Sequence, residues 1–167
     1  MTENDELGCP NLNSPYHDYI EPPAYATPDT DTNYAPDRII IELPKIGFTD
    51  ESFLNLQKLV DSKADLIKKA LGTDSLPIEQ TEEAICFPWF SFNVSADEVR
   101  AYSRFIGALF AMAKKLHHVS ATPKETDNEK YTFRCFLLRL GFIGDEYKAE
   151  RRILLSRLTG NSAFRNG

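Results

Sequence analysis

The first 37 of 167 residues contain neither lysine nor arginine, yet they hold eight acids: Glu3, Asp5, Glu6, Asp18, Glu21, Asp29, Asp31 and Asp37. The formal charge of −6 is therefore unevenly placed: residues 1–37 carry −8, and residues 38–167, with 17 acids against 19 bases, carry +2. Cysteine is scarce as well. Cys9, Cys86 and Cys135 are odd in number and far apart, which argues against a disulfide framework or a cysteine-based zinc site and suits reduced thiols in a cytoplasmic protein. No hydrophobic run approaches the length of a membrane span, and the start Met1-Thr2-Glu3-Asn4-Asp5-Glu6 lacks the basic and apolar regions of a secretory signal. No membrane partner is expected. Internal repeats and single-residue tracts are absent.

Six of the ten prolines (Pro10, Pro15, Pro22, Pro23, Pro28 and Pro36) fall in the base-free segment, among Asn, Asp and Thr. Too little apolar surface is present there to offset the entropy of ordering, so residues 1–37 are expected to form a disordered acidic Pro-rich tail or spacer. Its Tyr16, Tyr19, Tyr25 and Tyr34 are better explained as scattered linker residues than as a docking motif. Residues 38–167 are long enough for a single domain with a modest core.

Arg38-Ile39-Ile40-Ile41-Glu42-Leu43 is a β-branched run closed by Pro44, the pattern of a largely buried strand. Thr49 offers an N-cap, and Phe53, Leu56, Val60, Ala64, Ile67 and Leu71 form one helical stripe up to Gly72. Lys63 lies inside that stripe, and snorkelling at its edge is the ordinary explanation. Two short runs flanking Thr81-Glu82-Glu83 predict a hairpin, whose second strand must be an edge strand or carry a bulge because of Pro88. Ser95 and Glu98 form a capping box opening a helix, and Thr126 and Glu129 suggest another. The second of these helices, Tyr131 to Leu140, is apolar at nearly every azimuth apart from Lys130, Arg134 and Arg139, as a central buried helix would be. Asp145 caps a last helix, Glu146 to Leu158. The predicted class is α+β: a strand and a β-hairpin in a small sheet packed with about four helices.

Two runs, Ser62 to Phe92 and Glu129 to Gly167, resemble a family carried on mobile genetic elements of Gram-positive bacteria and labelled "virulence protein" or "virulence-related protein". The FPWF run at Phe87 to Phe90 and the LGFIGDEYK run at Leu140 to Lys148 are the most distinctive parts of the likeness. The resemblance implies a mobile-element accessory protein, without implying a reaction or binding residues.

No catalytic constellation assembles from the residue pattern. His117 and His118 are adjacent, so on a helix their side chains diverge, and a pairing with Cys86 or Cys135 has no local motif to activate a thiolate. Gly141 to Gly144 has the spacing of a GXXG nucleic-acid clamp, but apolar Phe142 and Ile143 and the neighbouring Asp145 fit a helix C-cap followed by an N-cap better. No catalytic residue, cofactor or metal is expected.

Binding has more support. Arg100, Arg104, Lys114 and Lys115 share one helix sector, with acids only in the first turn, and Lys148, Arg151, Arg152 and Arg157 follow on the last helix. The aromatic run Phe87, Trp89 and Phe90 belongs to the core or, less expectedly, to a partner surface. The expected function is non-enzymatic accessory or regulatory binding of a macromolecule, a protein ahead of nucleic acid. The alternatives are an inhibitor of a host defence system and an enzyme with an unrecognised Cys/His site.

Overall fold

The structure, a computed structural model, describes residues 38–119 and 126–163; the expectation for residues 1–37 lies outside them. The fold is α+β. In chain order the described elements are β1 (Arg38–Pro44), α1 (Asp50–Ser62), α2 (Ala64–Leu71), β2 (Glu79–Gln80), β3 (Ala84–Ser91), α3 (Ala96–Lys115), α4 (Glu129–Arg139), a 3-10 turn (Asp145–Tyr147) and α5 (Lys148–Leu155). The sheet is antiparallel in the order β1-β3-β2.

β3, not β1, is the buried strand. Its residues from Ile85 to Phe90 are buried, whereas β1 is only half-buried because it borders the sheet. A run of three isoleucines fits both situations: Ile39, Ile41 and Leu43 pack against the core, and an edge strand still keeps Ile40 partly covered. Pro88 is tolerated in the central strand for two reasons. The register slips between Ile39–Phe90 and Ile41–Phe87, placing a bulge opposite Ile40, and the two-residue β2 reaches only as far as Cys86.

The single helix expected between Thr49 and Gly72 is broken into α1 and α2 at Lys63, whose backbone leaves helical geometry at φ −130° and ψ 17°. Ser62 Oγ donates to the Leu59 carbonyl at 2.8 Å and the Lys63 N–H turns back to Val60, tightening the last turn. The break re-aims the chain so that Leu66, Ile67, Ala70 and Leu71 all reach the core. Gly72 then ends α2 in the left-handed region at φ 69°, where a side chain would be strained.

α3 is the central helix, packing against both α1 and α5 and burying Ala101, Tyr102, Phe105, Ile106, Leu109 and Ala113. It opens with the expected box: Ser95 Oγ accepts the Glu98 N–H, and Glu98 Oε2 accepts the Ser95 N–H at 2.8 Å. α4 buries only Phe133, Phe136 and Leu137, fewer than its composition suggests, because its other apolar residues are half-covered and Lys130 and Arg134 face a groove. Thr126 is not its N-cap. Asn128 Oδ1 takes the Tyr131 N–H, while Thr126 bonds the Asn128 carbonyl. Glu129 instead joins two distant segments, pairing with Lys69 of α2 and accepting the Thr159 N–H and hydroxyl. The last helix is shorter than expected, since Asp145–Tyr147 is a 3-10 turn with no side-chain cap and α5 ends at Leu155.

The Glu129 carboxyl is held below its ordinary value of 4.5, first by the Lys69 bond and then by the Thr159 N–H; that of Glu98 is lowered chiefly by the Ser95 backbone bond. Groups lowered on folding contribute stability above the unfolded value and lose it as pH falls through the folded one. Glu129→Gln is therefore expected to melt below wild type at about pH 7, with the difference shrinking towards about pH 3. A melting-temperature gap that stayed constant across that range would assign Glu129 no role in acid lability.

Candidate functional site

Arg100, Arg104 and Lys114 of the α3 stripe are engaged within the domain. Arg104 Nη1 pairs with Glu150 Oε1 of α5 at 2.7 Å, and its guanidinium lies 5.5 Å from the centre of the Tyr147 ring. Arg100 bonds Asp97 at 2.6 Å and stands 3.9 Å from the same Glu150 oxygen. Glu150 is buried, so the two arginines compensate a carboxylate withdrawn from water. Arg157 is also engaged: Nη1 donates to the Leu71 carbonyl at the end of α2, and Nη2 reaches Glu98 at 3.3 Å. Lys114 Nζ donates to the Ile46 carbonyl at 3.2 Å, and Lys115 is exposed.

The expected aromatic surface is core. Phe87, Trp89 and Phe90 are all buried; Trp89 Nε1 donates to the Pro77 carbonyl at 2.7 Å, and Phe90 stacks on Tyr102 with centroids 5.0 Å apart. Only Phe92, beyond the strand, is exposed among the aromatics of that run. Aromatic bulk on a central strand is best satisfied by burial with the indole N–H paired.

What remains is concentrated elsewhere. Lys130 and Arg134 of α4 and Lys148, Arg151 and Arg152 of α5 line one open groove of about 620 Å³, with the small-residue stretch 160–162 also in its lining. No carboxylate among the described residues lines it. Among the described residues, the side chains of Lys130, Lys148 and Arg152 have no hydrogen-bond or ion-pair partner, while Arg134 reaches the Ser162 carbonyl at 3.4 Å. Arg151 Nη1 holds the Phe142 and Gly144 carbonyls at 2.8 and 2.9 Å. That bond consumes the backbone of the Gly141–Gly144 loop and fixes it as a helix connection.

The arrangement is electrostatically costly for the free domain. Lys130 and Arg134, and likewise Lys148 and Arg152, stand four residues apart on a helix, where like charges repel by about 0.2–0.5 kcal/mol per pair. Both lysines also sit in the first turn, where the helix dipole disfavours a cation. An anion in the groove would relieve both. α3 contributes nothing to this site, so the two expected basic clusters do not merge; α4 supplies the other half. The signal for Lys130 and Arg134 was present in their shared azimuth on an otherwise apolar helix.

Covalent chemistry finds less to work with. Cys86 is buried, and burial pushes its thiol up, with Glu42 and Glu79, its cross-strand neighbours, adding to the effect. That is the opposite of thiolate activation. α3 ends at Lys115, so His117 and His118 follow the helix instead of lying on it, and both are exposed. Among the described residues, no group of three His, Cys, Asp or Glu side chains is placed to hold a metal ion, and no helix is long and apolar enough to cross a membrane. Compared with protein-family models, curated proteins and solved structures, the chain has no match in any of the three.

Proposed function

We propose that this protein is a non-enzymatic accessory protein of a mobile genetic element that binds the phosphate backbone of a nucleic acid in the groove between α4 and α5. One observation carries this reading: among the described residues, five cations converge on a groove lined by no acid, and the side chains of three of them have no intramolecular partner. Phosphate contact requires such clustering, whereas a basic total does not suffice. Small residues at 160–162 leave the groove open to a chain passing through it.

A second reading is an acidic protein partner, including a component of host defence. Ile143 favours it, because it is 63% exposed between the two carbonyls that Arg151 holds and so offers an apolar contact beside the cations. The full chain should be titrated against mixed pools of single-stranded DNA, duplex DNA and RNA at about 50 mM salt, where phosphate contacts are strong. Binding that weakens as salt rises is the expected result; no binding to any pool would leave the protein-partner reading in its place.

A further inference from the structure

β1 borders the sheet, so one of its two backbone edges faces no strand among the described residues. The ladder on its other side settles which residues line the open edge. The Lys45 N–H donates to the Glu83 carbonyl at 2.8 Å, continuing the register that sets Leu43 opposite Ile85 and Ile41 opposite Phe87. In an extended strand the N–H and C=O of one residue point to the same edge, and successive residues alternate. Ile39, Ile41, Leu43 and Lys45 therefore address β3, and Arg38, Ile40, Glu42 and Pro44 address the open edge. Pro44, which has no N–H, thus removes nothing from the internal ladder. The bulge lies on β3, so β1 is left unkinked, with three consecutive isoleucines half-covered. Such an edge invites another strand.

We propose that the open edge of β1 pairs antiparallel with the same edge of a second copy of this chain, about a two-fold axis through Ile40. Charge selects this register. Only residues that face outward exchange backbone bonds, so Arg38, Ile40, Glu42 and Pro44 must oppose one another. With the axis at Ile40, Arg38 stands opposite the partner's Glu42, Glu42 opposite the partner's Arg38, and Ile40 opposite the partner's Ile40. Moving the axis one residue along sets Arg38 against proline and Glu42 against isoleucine, which leaves both charges unmatched. Opposite charges and β-branched residues facing across strands are the favourable cross-strand pairs. Arg38 uses one nitrogen on the Pro88 carbonyl at 3.3 Å, and a guanidinium has donors to spare. The interface is self-complementary and closes as a dimer.

Sedimentation of the full chain across the micromolar range tests this. Wild type is expected at twice the 18.9 kDa chain mass. Ile40→Pro removes an outward N–H while sparing every β1–β3 bond, and should sediment as a monomer with an unchanged circular dichroism spectrum. Glu42→Arg, which turns both charge pairs repulsive, should weaken dimerisation by about tenfold or more, and adding Arg38→Glu should restore it. A wild type that stays monomeric throughout, or a dimer indifferent to Glu42→Arg, would overturn the proposal.

Discussion

Truncating Trp89 to alanine is expected to cost the domain about 3–5 kcal/mol, the range for removing a large aromatic from a packed core. The side chain is 1% exposed, meets Phe87 edge-on with centroids 5.2 Å apart, and donates its indole N–H to the Pro77 carbonyl. The substitution therefore opens a cavity and leaves that carbonyl without its donor. Because β3 is central and bulged at Pro88, the surrounding strand has little freedom to collapse into the space. Urea denaturation followed by circular dichroism checks the loss. A cost below about 1 kcal/mol would be that of a surface position, and the FPWF run would return as a partner-facing patch.

The second large effect concerns binding. Reversing Lys130 and Arg152 together, as Lys130→Glu with Arg152→Glu, is expected to weaken nucleic-acid binding by about a hundredfold at near-physiological salt. Fold stability should hold. Lys130→Glu turns a repelling pair four residues apart into an attracting one and puts an acid in the first turn of α4, whereas Arg152→Glu relieves the repulsion on α5 but sets an acid in that helix's last turn, so the net change should stay within about 0.5 kcal/mol. Loss of binding with no loss of stability separates a binding role from a structural one. Lys58→Glu with Lys115→Glu, at exposed positions of α1 and α3, serves as the control, changing the net charge by the same amount away from the groove. If the control weakened binding as much as the pair, the effect would be one of net charge alone.

The sequence made the α+β class legible, since period and capping are local. The Ser95 capping box, the hairpin and the bulge at Pro88 all follow from residues within a few positions of one another. Failures came where a long-range partner decided the outcome. Glu129 has the spacing of a capping residue, yet Lys69 and Thr159 claim its carboxylate, and Asn128 caps instead. The break at Lys63 depends on where the core lies, not on helix propensity. The site failed for the same reason in the opposite sense. Arg100 and Arg104 form a one-sign stripe on their own helix, and only the packing of α3 against α5 brings Glu150 to them. Lys130 and Arg134 looked like the polar minority of a buried helix until α5 placed three more cations beside them. A helical wheel shows which charges share a face, but the facing element decides whether those charges are satisfied or free.

The central claim is that the groove between α4 and α5 holds phosphates, and the salt dependence of duplex DNA binding tests it most directly. Neutralising phosphates releases counterions, so the logarithm of the binding constant should fall linearly with the logarithm of salt concentration, at a slope of about −3 to −4.5 if most of the five cations engage. In the Lys130→Glu, Arg152→Glu variant the slope should be shallower by about 2. A wild-type affinity indifferent to salt, or a slope the double reversal leaves unaltered, would contradict the account.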